Sequence, residues 1–228
     1  MPRETFDREI NQLQDQLMAM GIMVEQAVNA AVDTLRHGNR KAARRIMEAD
    51  QQINEKRYMI EHNTLTLIAT QQPMARDLRL LAAILEIITE LERIGDYGKG
   101  IARIVLMLDK KKLGIARNEF KQMAKTGLEM LQKSLQAFVA RDAEAARAIP
   151  AMDDTVDDLY NRVYRKLVKE MIADPSPSTI DDANHLMWAA HNLERLADRV
   201  TNICERIIFV VTGQIIEMDA SDDEHKKQ

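Results

Sequence analysis

The chain has one cysteine, Cys204, which excludes an internal disulfide and any thiolate metal cage within one molecule. It sits in the apolar pattern Ile203, Cys204, Ile207, Ile208, as a small core residue does. Interrupting residues are scarce: 8 Gly, 5 Pro, 4 Phe and 4 Tyr among 228 residues. The remainder is rich in Ala, Leu, Met, Glu, Lys, Arg and Gln, the strong helix formers, so the fold class is all-α. No run approaches the roughly 20 apolar residues that span a bilayer. The opening MPRETFDREI is charged and has no apolar h-region. A cytoplasmic location is therefore expected, with at most peripheral membrane association. Neither sign of charge dominates, since 32 basic and 36 acidic residues are mixed along the chain; no nucleic-acid footprint results.

Turn signals stand at Gly38–Asn39, Gln72–Pro73, Lys111–Gly114, Arg141–Asp142 and Asp174–Pro175–Ser176–Pro177, and Gly213 closes the last apolar stretch. Between them lie six helical segments with apolar positions three and four apart. The first runs from Phe6 to His37, with Ile10, Leu13, Leu17, Met20, Val24, Ala27, Ala31 and Leu35 as its stripe. Asn39 is placed to cap the second helix and Asp142 the fifth, while Ser178 or the neighbouring Pro175 and Pro177 starts the sixth.

The three-helix unit occurs twice. At an offset of 103, Met20 meets Met123, Ala42-Ala43-Arg44 meets Ala145-Ala146-Arg147, and Asp50 meets Asp153. One gap changes the offset to 102, after which Pro73 meets Pro175, Leu91-Glu92-Arg93 meets Leu193-Glu194-Arg195, and Asp96 meets Asp198. Six long antiparallel helices arranged as two tandem three-helix bundles follow from this duplication. We assign residues 1–112 to the first repeat, 113–213 to the second and 214–228 to a polar C-terminal tail, with the boundary near Lys110–Leu113.

Each repeat carries a glutamate and an aspartate four positions apart, in LERIGD (91–96) and LERLAD (193–198). Like charges one turn apart cost a helix a few tenths of a kcal/mol, so something other than helix stability accounts for the pair. Glu92 and Asp96 fall at the edge of their apolar stripe. In the sixth helix His191, Glu194, Asp198 and Asn202 run at i, i+3, i+7 and i+11, a palette of metal ligands on one line. The second helix of each unit adds Asp50 with Asn54, and Asp153 with Asp157. Carboxylates gathered in a low-dielectric setting stay ionised only beside a compensating cation, and oxygen ligands suit Mg²⁺, Mn²⁺ or iron. A solvated acidic face is the alternative. In the first copy Lys99 and Arg103 can neutralise Glu92 and Asp96; in the second, Arg195 and Arg199 point about 100° from Glu194 and Asp198 respectively.

Other motifs carry less. GDYGKG at 95–100 lacks the spacing of a phosphate loop, and its glycines read as close-packing positions within a helix. No Glu-x-x-His exists for a ferritin-like di-iron site. The basic turn Arg40, Lys41, Arg44, Arg45 reads as a solvated helix start, with an acidic partner or lipid surface as the alternative, and the 14 Met fill core gaps. No nucleophile with an orienting partner emerges, so no enzyme is expected.

The duplicated unit, with LERIGDYGKGIARIV at 91–105 and LERLADRVTNICERI at 193–207, each preceded by a D-x-x-x-[DN] pair, closely resembles the PhoU family of bacterial phosphate-transport accessory proteins. The resemblance spans Phe6 to Gly213. It implies a cytoplasmic, homodimeric regulator of phosphate uptake. Such a protein represses the phosphate-starvation regulon and links the ATPase of a phosphate ABC importer to a sensor histidine kinase. It also implies metal ions, iron or zinc among them, at the repeated acidic motifs. Carried over, the first site comprises Asp50, Asn54, Glu92 and Asp96, and the second Asp153, Asp157, Glu194, Asp198 and Asn202; His191 is added from its spacing alone. Asn54 and Gly100 depart from the acid and the amide of the second copy. A metal-dependent phosphatase-like enzyme and a purely structural dimeric scaffold are the competing readings.

Overall fold

The computed structural model describes residues 3–108 and 115–218. Its helices are α1 (Arg3–His37), α2 (Arg40–Gln71), α3 (Ala75–Met107), α4 (Arg117–Ala140), α5 (Ala143–Ala148), α6 (Asp153–Ala173) and α7 (Pro177–Thr212). All-α architecture in two three-helix repeats is thereby met. The predicted boundary at Lys110–Leu113, the turn around Lys111–Gly114 and the tail from Asp219 to Gln228 lie outside the described residues. Gln214–Met218, placed in the polar tail by sequence, turns back toward α7: the Met218 N–H donates to Glu205 Oε1 at 2.7 Å, and Ile216 and Met218 pack on the core.

Local chemistry sets the helix ends. The Asn39 side chain accepts from the Ala42 N–H, and Asp142 accepts from Glu144 and Ala145, each supplying an acceptor that the first helical turn lacks. Ser176, rather than Ser178, caps α7: its Oγ accepts from Thr179, and Pro177 holds the first helical position, where a missing N–H costs nothing. Gly213 ends α7 at φ 76°.

The fifth predicted helix is not continuous. Pro150 has no N–H to give and crowds the preceding turn, so the chain forms α5, a 3₁₀ turn at Pro150–Met152, and then α6. Met47 occupies the equivalent position in α2, which runs unbroken. The interruption makes Asp153 the first residue of α6.

α1, α2 and α3 pack on one another, as do α4, α6 and α7; α3 against α7 and α1 against α4 join the repeats. The stripe predicted for α1 is buried except Ala27, where the face drifts to Val28. One apolar core runs through both halves, from Leu17 and Leu91 to Leu193 and Ile207. The glycines of GDYGKG do serve close packing: a Cβ on Gly98 would lie 3.4 Å from the Val28 backbone, and one on Gly100 would meet Asn192 Nδ2 at 2.8 Å.

The α3–α7 contact has a definite register. Gly100 faces Asn192, Tyr97 bonds Arg195, Glu90 meets Arg199 at 3.4 Å, and Glu86 meets Arg206 at 3.0 Å. Numbers fall along α3 as they rise along α7, so the two helices are antiparallel and their motif stretches lie level.

Candidate functional site

In the first repeat, α2 contributes Asp50 and α3 contributes Glu92 and Asp96. Asp50 is 5 % exposed, and the cation that reaches it is Lys99, whose Nζ lies 2.6 Å from Asp50 Oδ2 and 3.7 Å from Asp96 Oδ1. Both carboxylates raise the Lys99 pKa, chiefly through the hydrogen bond to Asp50. Burial and the Asp96 charge hold the Glu92 carboxyl above its ordinary range, offset in part by Arg57. Lys99 was expected to serve Glu92 and Asp96; its closest partner is Asp50. Asp96 itself is exposed and Asn54 partly buried.

The second repeat is balanced differently. Asp153 and Asp157 on α6 face Glu194 and Asp198 on α7, near enough that the Asp157 and Asp198 charges raise the pKa values of Asp153 and Glu194. Burial, then Asp157 and Asp198, push Asp153 up to about 7. Its place in the first turn of α6 would favour the charged form by a fraction of a kcal/mol, and burial with like charge outweighs that. Burial, then Asp198 and Asp157, push Glu194 up to about 7 as well. Asp153 Oδ1 is buried and accepts no hydrogen bond, and Glu194 Oε2 is buried against the His191 ring.

Two neighbours sharpen this picture. Arg195 points away from Glu194, as its spacing requires, but it reaches Asp198 Oδ2 at 3.2 Å and bonds Tyr97 across the repeat interface. The second copy therefore does have one arginine on its acids, which a count of angles from Glu194 alone overlooks. Arg199 pairs with Glu90 at 3.4 Å, and its charge also lowers the Asp198 pKa. His191 Nδ1 lies 3.1 Å from Glu194 Oε2, yet burial and Arg195 lower the imidazole pKa, which favours the uncharged ring. Asn202 is partly buried one turn beyond Asp198. Tyr160, on α6, is a member that the sequence reading missed; its hydroxyl pKa is raised by burial and by the Glu194 charge. The signal was present, since Tyr160 stands three residues after Asp157 on the same helix face.

Among the described residues, no group of three or more His, Cys, Asp or Glu side chains is placed so that it could hold a metal ion as it stands. What the second repeat offers a cation is charge and donor type: four neighbouring carboxylates, with the buried Asp153 Oδ1 accepting no hydrogen bond. The first repeat offers less, because an ammonium is already in place. Cys204 takes no part, being fully buried with its thiol pushed up to about 12.

Known proteins share this organisation. The PhoU domain description matches residues 17–105 and again 120–207. A phosphate-specific transport system accessory protein PhoU homolog of Clostridium acetobutylicum is 31% identical over 220 residues, covering 96% of this chain and 100% of that one. The crystal structure of the phosphate transport system regulatory protein PhoU from Streptococcus pneumoniae superposes with a TM-score of 0.86 at 30% identity, over 93% of this chain and 100% of that one. PhoU from Pseudomonas aeruginosa gives 0.83 at 34%, over 92% and 100%. With the repeated unit matched in both halves and the fold shared over nearly its full length, this chain belongs to the PhoU family.

Proposed function

We propose that this chain regulates phosphate uptake as an accessory protein, holding the phosphate ABC importer and a sensor histidine kinase in their phosphate-replete states and so repressing the phosphate-starvation response. The observation that carries this reading is the match along both repeats to chains named for an accessory or regulatory role in phosphate transport. Those names are not names of enzymes, in line with the absence of a nucleophile or positioned base from the sequence. No helix among the described residues is long and apolar enough to cross a membrane. In this reading the chain acts as a homodimer and meets a membrane-embedded importer through that importer's ATPase.

The second-repeat acids are the metal site of this reading. Asp153, Asp157, Glu194 and Asp198 would hold a divalent or trivalent ion such as Fe, Zn, Mn or Mg, with Asn202 and His191 as neighbouring donors. When bound, such an ion supplies positive charge beside Asp153 and Glu194, whose carboxyls burial and like charge hold at a raised pKa. The protein's own part is to fix α6 against α7 through Val156, Leu159 and Leu193, so that the surface offered to a partner depends on how closely the four acids approach. Phosphate status is read from the importer, without direct phosphate binding.

A reporter of phosphate-starvation transcription tests the regulatory role in cells with and without this chain. Repression in phosphate-rich medium should require the chain. Equal silence in both strains would refute it.

A further inference from the structure

We propose that the Lys99 ammonium is the resident cation of the first repeat, so that Asp50, Glu92 and Asp96 take up no metal ion and only the second repeat exchanges one. The second-repeat half rests on the reading above; the first-repeat half rests on its own geometry.

Three observations carry it. Lys99 Nζ makes a 2.6 Å contact to a carboxylate that is almost wholly buried, and lies 3.7 Å from a second. A charge-assisted bond of that length to a buried acid is among the strong ones, and an entering ion would have to break it. The ion would then stand beside the displaced ammonium, two cations in one small site. The internal duplication supplies the control: at the offset of 102, Lys99 meets Thr201 and Arg103 meets Glu205. The first repeat thus carries two cations where the second carries a hydroxyl and an acid. Lastly, the acids that Lys99 serves have an ammonium as partner, whereas Asp153 Oδ1 accepts no hydrogen bond and the neighbour of Glu194 Oε2 is the His191 ring. A protein so built has one bundle with a covalently fixed counter-ion and constant helix spacing, and one whose spacing follows an exchangeable ion.

Equilibrium dialysis with Mn²⁺ provides the test, in a chain whose second repeat is silenced by Glu194→Gln and Asp198→Asn. With Lys99 intact this background should hold no tightly bound Mn²⁺. Adding Lys99→Thr, the residue of the second repeat, should gain one ion per chain, and Lys99→Arg should gain none. An ion retained with Lys99 intact and lost on Asp50→Asn would overturn the proposal, as would a Lys99→Thr chain that gains nothing. Failure of the second-repeat reading looks different: the unaltered and silenced chains would bind alike, leaving the Lys99 comparison intact. Should Lys99→Thr not fold, reductive methylation of the unaltered chain decides, because Mn²⁺ must leave the Lys99 rate unchanged; faster methylation with Mn²⁺ would mean that an ion displaces the ammonium.

Discussion

At the scale of single residues, Glu194 and Asp153 have carboxyls that fold at a cost. Each has a pKa of about 7 in the native state and an ordinary value near 4 when unfolded. Between those values the native chain binds more protons than the unfolded one, so stability falls as pH rises. We expect the cation-free protein to melt at a lower temperature at pH 7.5 than at pH 5, followed by circular dichroism. Glu194→Gln should flatten that slope and raise the melting temperature at pH 7.5, because the amide needs no counter-charge. A divalent cation should do the same for the unaltered chain by competing with the protons. In the first repeat the balance reverses. Replacing Lys99 by Met strands a buried carboxylate, and we expect a loss of about 1–3 kcal/mol in urea unfolding, relieved when Asp50 is also changed to Asn.

At the scale of elements, helix ends and crossings follow from particular side chains. Asp142→Ala removes the acceptor for two backbone N–H groups at the start of α5 and should cost about 1 kcal/mol by urea unfolding. Gly98→Val should cost more, about 1–3 kcal/mol, because α1 and α3 would have to separate where their backbones approach; the urea midpoint reports it. These elements were largely legible in the sequence: periodicity gave the α1 stripe, and Asn39 and Asp142 announced their caps. Pro150 was legible too, as a helix breaker, but the apolar pattern on either side of it continues in phase and masks the break. Which side chain meets Asp50 was less visible. Helical spacing relates residues on one helix, and the Lys99–Asp50 pair joins two; only the rotation of α3 against α2 brings them together. The same limit hid Arg195 beside Tyr97.

At the scale of the whole molecule, duplication has produced halves with one shape and two electrostatic solutions. They are not independent, since α3 and α7 meet antiparallel along one core, with Arg199–Glu90 and Arg206–Glu86 across the seam. We therefore expect a single cooperative unfolding transition, with calorimetric and van't Hoff enthalpies equal, rather than separate melting of the repeats. The account's central claim is that the second repeat is the one that takes a metal ion. Metal content per chain, measured by elemental analysis on protein purified without chelator, tests it most directly. The account predicts bound metal in the unaltered chain that is lost in the Glu194→Gln, Asp198→Asn variant; a metal-free unaltered chain, or a variant with undiminished metal, would contradict it.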